Sequence, residues 1–399
     1  MLAASAILLI TMGARQTSGL FLIPITQTTG VSVVAMSFAL AIGQFVFGAA
    51  QPVFGAIADK YGAEKVIVAG AIMLALGCVL TPFAMSSVGL LLTMGVLSAA
   101  GAAAGSFSIL IGIAAQRLPP EKRSFAAGLI NAGGSVGQSV FAPLVQLIIA
   151  AAGWASAMFA TAFAALLTIP LVLPLRRSKP AASSSVASLV PVPHLPLGEQ
   201  VRVAMRDRSY LFLHAGFFTC GFHIAFLVTH LPNDLRLCGL GPEVAASSLM
   251  LIGLFNVAGS LSAGWLGQRY RMKYLLALIY ASRAVIVAIY VVMPKTALNV
   301  YMFAGALGFT WLATVPPTSG LVGKLFGTRY LATLFGLTLL SHQLGGFFGA
   351  WVGGLVLERF GDYTWMWYAD IALALAAALV NLPIREAAPQ AAGLAAAKA

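Results

Sequence analysis

Acidic residues are scarce in this chain, with 11 Asp and Glu among 399 residues, and charged residues of all kinds make up 9%. A soluble domain carries about a quarter charged residues, so the chain does not have the surface to dissolve as one. Cysteines number three, Cys78, Cys220 and Cys238, too scattered for a disulfide or metal framework. There is no phosphate-cradling Gly-Lys-Ser loop, no nucleophile elbow and no paired metal-ligand spacing, so neither an enzyme nor a cofactor is implied. Without a nucleotide loop, any work done by this chain must draw on gradients.

What fills the chain is apolar sequence. It is 60% hydrophobic, with a mean hydropathy of +0.94. Apolar stretches recur at the ~20 residues that a bilayer-crossing helix needs. Twelve spans are expected near 2–27, 34–57, 66–85, 88–115, 124–150, 154–174, 209–232, 243–267, 273–293, 299–323, 330–356 and 364–384. The alternating ten-residue strands of a membrane barrel are absent, which leaves helices. The expected fold is an all-α membrane protein of twelve transmembrane helices in two pseudo-symmetric six-helix bundles.

The net charge of +12 reports topology. Assigned to alternate sides, 18 Lys and Arg fall on one side and only Arg236, Lys295 and Arg359 on the other, with Arg15 and Arg283 inside spans. That bias is the positive-inside rule with both termini cytoplasmic, and it argues against nucleic acid as a partner. No basic segment precedes the first apolar run, and Arg15 interrupts it, so a cleavable signal peptide is not expected. The chain starts almost inside its first helix, which leaves room for a cytoplasmic tail upstream. A multi-pass monomer in the inner (plasma) membrane is expected.

The second half echoes the first at an offset near 210 residues. Gly55-Ala-Ile-Ala-Asp59-Lys60-Tyr61-Gly62 returns as Gly264-Trp-Leu-Gly-Gln268-Arg269-Tyr270-Arg271. Gly133-Gly134-Ser-Val-Gly137 returns as Gly345-Gly346-Phe-Phe-Gly349, and Arg117 falls opposite Arg329. Residues 175–208 are rich in Ser, Pro, Ala and Arg and read as a cytoplasmic linker. The expected organisation is therefore a bundle over 1–174, the linker 175–208, a bundle over 209–385 and a tail over 386–399. Two parallel repeats of this kind describe a transporter with its site near the midplane.

Gly55, Asp59, Lys60, Gly62 and Lys65 resemble the loop motif of the major facilitator superfamily, and the layout of spans extends that resemblance over the whole chain. The resemblance implies a cytoplasmic gate at Gly55, Asp59, Lys60 and Gly62, in which Asp59 engages a neighbouring helix terminus and a basic side chain, with Arg117 as the candidate. A carboxylate at a helix N-terminus is physically favourable. In the second copy Gln268 replaces the acid, so gating by charge is expected to be weaker there. Within the superfamily, Arg15-Gln-Thr-Ser-Gly-Leu-Phe21 is similar to the first helix of the monocarboxylate porter branch, which carries a basic residue at mid-depth followed by a Phe-containing stretch. That branch often has an Asn or Asp four residues before an Arg in helix 8, whereas here Asn256 is followed by Ser260.

The candidate transport residues follow from where polar groups enter the spans. An arginine at the bilayer centre costs roughly 3 kcal/mol even on the lenient insertion scale. Thr11, Arg15, Ser18 and Gly19 share one helix face. Arg15 either binds a substrate carboxylate through its planar fork or is a structural arginine bonded to carbonyls of a broken neighbouring helix. His223 is its repeat counterpart, nine residues before Pro232 as Arg15 is nine before Pro24, and is expected to face it across the interface. As a histidine it could carry a proton or bind an anion, or simply pack; His230 on the same face is read as interfacial. His342 with Gln343, Asn131 with Ser135 and Gln138, and Gln44 with Gln51 are candidates to orient a ligand or to tie helices together. Arg283 is expected in a supporting helix, with Asp370 a possible partner lying near the periplasmic interface. Substrate contact is thus assigned to Arg15, His223, Asn256, His342, Arg283 and Asn131, and proton coupling to His223, His342 and Asp370. An apolar cavity with Phe21 and Trp311 would hold the rest of the substrate.

The expected function is secondary active transport of small organic anions, mono- or dicarboxylates, by alternating access, with protons as the candidate coupling ion. The alternatives are proton-driven efflux of drugs or metabolites and a non-transporting membrane sensor.

Overall fold

The computed structural model describes residues 1–175 and 195–386, and the expected linker and tail fall largely outside them. Among the described residues, ten helical segments are long and apolar enough to cross a membrane. Two local features raise the number of spans to twelve.

The first is a break. Helix α1 consists of Leu2–Gln16 and Leu22–Thr29 joined by a 3-10 turn, Ser18–Phe21, so neither piece reaches span length alone. The Thr17 hydroxyl bonds back to the carbonyls of Gly13 and Ala14 at 3.1 and 3.0 Å, and Pro24 has no N–H for the preceding turn. The second is a reversal. The Pro120–Leu166 segment contains Gly153 at φ 82°, ψ 164°, conformations that only glycine adopts readily. Gly153 therefore separates α5 (120–152) from α6 (154–166).

The other helices are α2 (Val33–Tyr61), α3 (Ala63–Leu80), α4 (Ser87–Arg117), α7 (Arg208–Leu237), α8 (Pro242–Arg269), α9 (Met272–Val292), α10 (Ala297–Thr310 and Val315–Phe326), α11 (Leu331–Phe360) and α12 (Thr364–Asn381). A short amphipathic helix, Leu197–Arg206, precedes α7 inside the stretch read as linker. Helix α4 has a π-helical stretch at Leu91–Ser98 and is interrupted at Gly105, whose carbonyl accepts from the Thr11 hydroxyl at 2.8 Å. Helix α10 is broken because Pro316 and Pro317 cannot donate to the preceding turn.

The glycine repeats show why the two halves look alike. A Cβ on Gly133 or Gly137 of α5 would overlap the backbone of α1 at Ser5 and Leu9. In the second half a Cβ on Gly345 or Gly349 of α11 would overlap the backbone of α7 at Phe218 and Phe222. Each glycine triplet lets two helices approach to backbone contact, as small residues do in membranes. The result is two six-helix bundles with matching close pairs.

The bundles meet through α2 with α11 and α5 with α8. The close approaches lie toward the end where Leu175 and Leu195 leave the bundles, here termed the linker side. There Gly55 abuts the Ala332 backbone, Gly336 abuts Pro52, and Gly128 faces Ser260 and Gly264.

Candidate functional site

Arg15 occupies the last turn of the first piece of α1, next to the break. Its guanidinium donates to Gln44 Oε1 on α2 and lies 3.9 Å from the centroid of the Phe47 ring. Around it is a cavity of about 60 Å³ lined by Ser18 and Phe21 of α1, Gly43 of α2, Cys78 of α3, Met94 and Ser98 of α4 and Thr161 of α6, among others. None of the lining residues is acidic. An amide and an aromatic face stabilise a cation without neutralising it, so the site keeps its positive charge. The cavity lies among helices of the first bundle, which corrects the expectation that Arg15 faces His223 across the interface. The break at Thr17–Phe21 and the pull of Gln44 and Phe47 on α2 turn the side chain into its own bundle. Phe21 lines this cavity, but Trp311 belongs to the second bundle and is buried there.

In the second bundle the charges converge on one cluster. His223 of α7 and Asp370 of α12, both fully buried, meet through Nδ1 and Oδ2 at 2.5 Å. Asp370 is thus enclosed by protein and bonds to His223, not to Arg283. Arg283 of α9, also fully buried, donates from Nη2 to the Thr310 and Trp311 carbonyls at 2.6 and 2.9 Å. Those carbonyls lie at the break of α10, where regular helix pairing fails. The Trp311 indole packs edge-on against the His223 ring at 5.8 Å between centroids. A buried charge is tolerated when paired and hydrogen-bonded, and this cluster provides one cation, one carboxylate and an imidazole between three helices.

The amides mark the contact between the bundles. Asn131 Nδ2 on α5 donates to Ser260 Oγ at 2.7 Å and to the Leu312 carbonyl at 3.0 Å. Asn256 Nδ2 on α8 donates to Ser135 Oγ at 2.7 Å, while its Oδ1 accepts from Leu312 N–H at 2.9 Å and from Ser260 Oγ at 3.2 Å. Both asparagines are therefore spent on joining α5, α8 and α10. His342 of α11 packs on Phe217 with ring centroids 5.0 Å apart. His230 engages the Ala350 carbonyl at 2.8 Å and Tyr363 Oη at 3.2 Å.

On the linker side, Asp59 at the end of α2 accepts from the N–H of Thr333 at 2.9 Å and from its hydroxyl at 2.7 Å. Thr333 is in the first turn of α11, so the carboxylate caps a helix N-terminus across the bundle boundary. Gln116 adds bonds to Asp59 Oδ1 at 3.5 Å and to the Thr328 and Arg329 carbonyls at 3.2 and 3.3 Å. Arg117 is not the partner of Asp59: its guanidinium goes to the carbonyls of Pro174 and Leu175, which end the first bundle without regular helix bonding. Lys60 is exposed and lies over Tyr61. Gly62 sits at φ 97°, the left-handed turn that separates α2 from α3.

A family model described as Major Facilitator Superfamily matches residues 4–350. The chain belongs to the major facilitator superfamily. Among its relatives, monocarboxylate transporter 13 of Bos taurus is 27% identical over 377 residues, 93% of this chain and 85% of that one. The oxalate:formate antiporter of Oxalobacter formigenes is 25% identical over 390 residues, covering 95% and 90%. By structure, the E. coli fucose:proton symporter superposes with a TM-score of 0.69 at 15% identity, covering 96% of this chain and 98% of that one. These relatives are transporters and not enzymes.

For this superfamily member, several functional contacts were not legible in the sequence. Gln44 stood out as an amide within a span, but nothing tied it to Arg15, 29 residues away. Phe47 carried no signal in so aromatic a chain. The helix terminus expected as a partner of Asp59 is that of α11, whereas Thr333 and Gln116 themselves are uncharged and lie outside the basic side chain expected beside it. A hydroxyl in the first turn of α11 was the signal available.

Proposed function

We propose that this protein is a secondary transporter of small organic anions, mono- or dicarboxylates, working by alternating access. The supporting observation is the cavity around Arg15, where a cation is held by an amide and a ring and no acidic side chain lines the space. A carboxylate at 4 Å from that guanidinium gains roughly 4 kcal/mol at an effective dielectric near 20, enough to offset much of the desolvation of both groups. The anion would displace Gln44 and take its place in a bidentate pair. Apolar neighbours such as Phe21, Cys78 and Met94 would hold the remainder. The names of the relatives, a monocarboxylate transporter and an oxalate:formate antiporter, agree with this substrate class.

Protons are the proposed coupling ion, carried by the His223–Asp370 pair, the buried carboxylate–imidazole contact of the second bundle. The positive-inside bias supports a multi-pass placement in the inner (plasma) membrane with both termini and the linker side cytoplasmic. Asp59 and Thr333 would then close the cytoplasmic gate.

The test is uptake of radiolabelled formate, acetate, lactate, pyruvate and oxalate by proteoliposomes, with thermal stabilisation by the same acids. Saturable uptake of a carboxylate that Arg15→Gln weakens supports the reading. Uptake unchanged in affinity and rate by Arg15→Gln removes the anchor, and stabilisation by cationic or neutral compounds alone removes the substrate class.

A further inference from the structure

The broken turn of α10 between Thr310 and Val315 is held from two directions. On one side are the buried charges. Arg283 grips the carbonyls of Thr310 and Trp311, the Trp311 indole rests against His223, and Thr314 Oγ1 lies 3.4 Å from Cys220 Sγ. On the other side is the seam between the bundles. The next residue, Leu312, donates its N–H to Asn256, and its carbonyl accepts from Asn131 of the first bundle. One turn of chain thus belongs at once to the charge cluster and to the α5–α8 contact.

The turn can change shape at modest cost. Pro316 and Pro317 have no N–H to offer the carbonyls of Leu312 and Ala313 one turn earlier. The Leu312 carbonyl therefore takes the Val315 N–H at 3.0 Å in a tighter turn together with the Asn131 amide, while the Thr310 and Trp311 carbonyls are held by Arg283. Side-chain bonds can be exchanged, whereas a continuous helix would have to unwind. The charge cluster supplies a reason to exchange them. With Asp370 ionised and His223 neutral, the carboxylate and Arg283 balance to zero. One added proton leaves a net positive charge in a low-dielectric interior, where repulsion is strong. Arg283 acts on the pair through space, by repelling a proton on the His223 imidazole, and its hydrogen bonds go to the Thr310 and Trp311 carbonyls of the broken turn. The remaining titratable groups around it are Tyr280 from α9, Cys220 from α7 and His342 from α11. Protonation therefore changes the balance between the pull of the pair on Arg283 and its grip on Thr310 and Trp311.

We propose that the broken turn of α10 transmits the protonation state of His223–Asp370 to the contact between the bundles, with Arg283 as the positioning residue on one side and Asn131 on the other. This rests on the proton reading given above and adds to it a physical route. A coupling claim needs an element with two arrangements that both ends bias, and the proline-broken turn is that element.

The test uses the full chain in nanodiscs with two readouts, a pH-induced infrared difference for the His223–Asp370 pair (imidazole and carboxyl bands) and the distance between spin labels on the linker side of α5 and α8. The labels sit on Glu121→Cys and Tyr270→Cys, with Cys238→Ser removing the exposed native thiol. Between about pH 5 and about pH 8, where histidine pairs titrate, the ratio of the two distance populations is expected to change about fivefold or more. Asn131→Ala is expected to flatten that change to less than about twofold while leaving the infrared titration intact. Arg283→Gln should also flatten the distance response, while moving the titration of the pair to higher pH because the opposing charge is gone, and Arg283→Lys, which keeps that charge, should restore part of the response. If Asn131→Ala and Arg283→Gln keep the native distance response while the pair takes up its proton, the route through α10 is wrong. If neither the His223 imidazole nor the Asp370 carboxyl gives a pH-induced signal in the native protein, or the same signals survive in His223→Phe with Asp370→Leu, the proton reading itself falls and this inference falls with it.

Discussion

Asp59 and Thr333, 274 residues apart in sequence, form a two-point clasp between the bundles, the carboxylate accepting from backbone N–H and hydroxyl at 2.9 and 2.7 Å. The clasp sits where Gly55 lets α2 touch the backbone of α11. Charge, cap and close packing thus act at one place, and the linker side is closed in this structure.

Asp59→Asn keeps an acceptor oxygen but loses the charge that complements the N-terminus of α11. The expected loss is about 1 kcal/mol of closed-state preference, roughly a fivefold shift toward opening on the linker side. Cysteine accessibility of that side should rise, and Thr333→Val should show a smaller effect because the N–H bond survives.

Gly55→Leu tests packing rather than charge. A Cβ there would come within 2.6 Å of the Ala332 carbonyl oxygen, so the closed arrangement cannot accommodate even the first carbon. The variant should fold, since the clash lies between bundles, yet be trapped open toward the linker side. Cross-linking between α2 and α11 near positions 55 and 332 should be lost.

Arg15→Gln should weaken carboxylate binding by about 10- to 100-fold, the loss of a charge-assisted bond worth ~1.5–3 kcal/mol. Arg15→Lys should recover only part of it, because an ammonium cannot present the planar fork. Isothermal titration against the best uptake substrate measures both.

His223→Ala leaves Asp370 buried without its imidazole, and a stability loss of about 3–5 kcal/mol is expected. Replacing both, His223→Phe with Asp370→Leu, should cost less than the single change, since no orphaned carboxylate remains. Denaturation midpoints in detergent distinguish the two cases, and a double variant less stable than His223→Ala would contradict the role of the pair.

Gly137→Ala and Gly345→Ala probe the matching close pairs. Each added methyl would overlap a carbonyl of the facing helix, at Leu9 and at Phe218. Overpacking of this kind costs typically about 1–3 kcal/mol, and similar losses in the two variants are expected from the pseudo-symmetry. Thermal midpoints check it.

The sequence alone determined the membrane, the helices and the repeat. Apolar runs of span length, a one-sided distribution of Lys and Arg and two copies of the same glycine spacing are one-dimensional signals, and each has one physical meaning in a bilayer. It also marked Arg15, His223, Arg283 and Asp370 as costly, because a charge inside a span is visible without knowing its neighbours. Which of them meet was decided only by the tertiary structure. Asp370 lies 147 positions from His223, and helix rotation decides whether two such side chains touch. Rotation is set by packing across several helices and by breaks such as Thr17–Phe21 and Pro316–Pro317. For that reason Arg15 turned to Gln44 within its own bundle, Arg283 turned to the open carbonyls of α10, and Arg117 left Asp59 to Thr333.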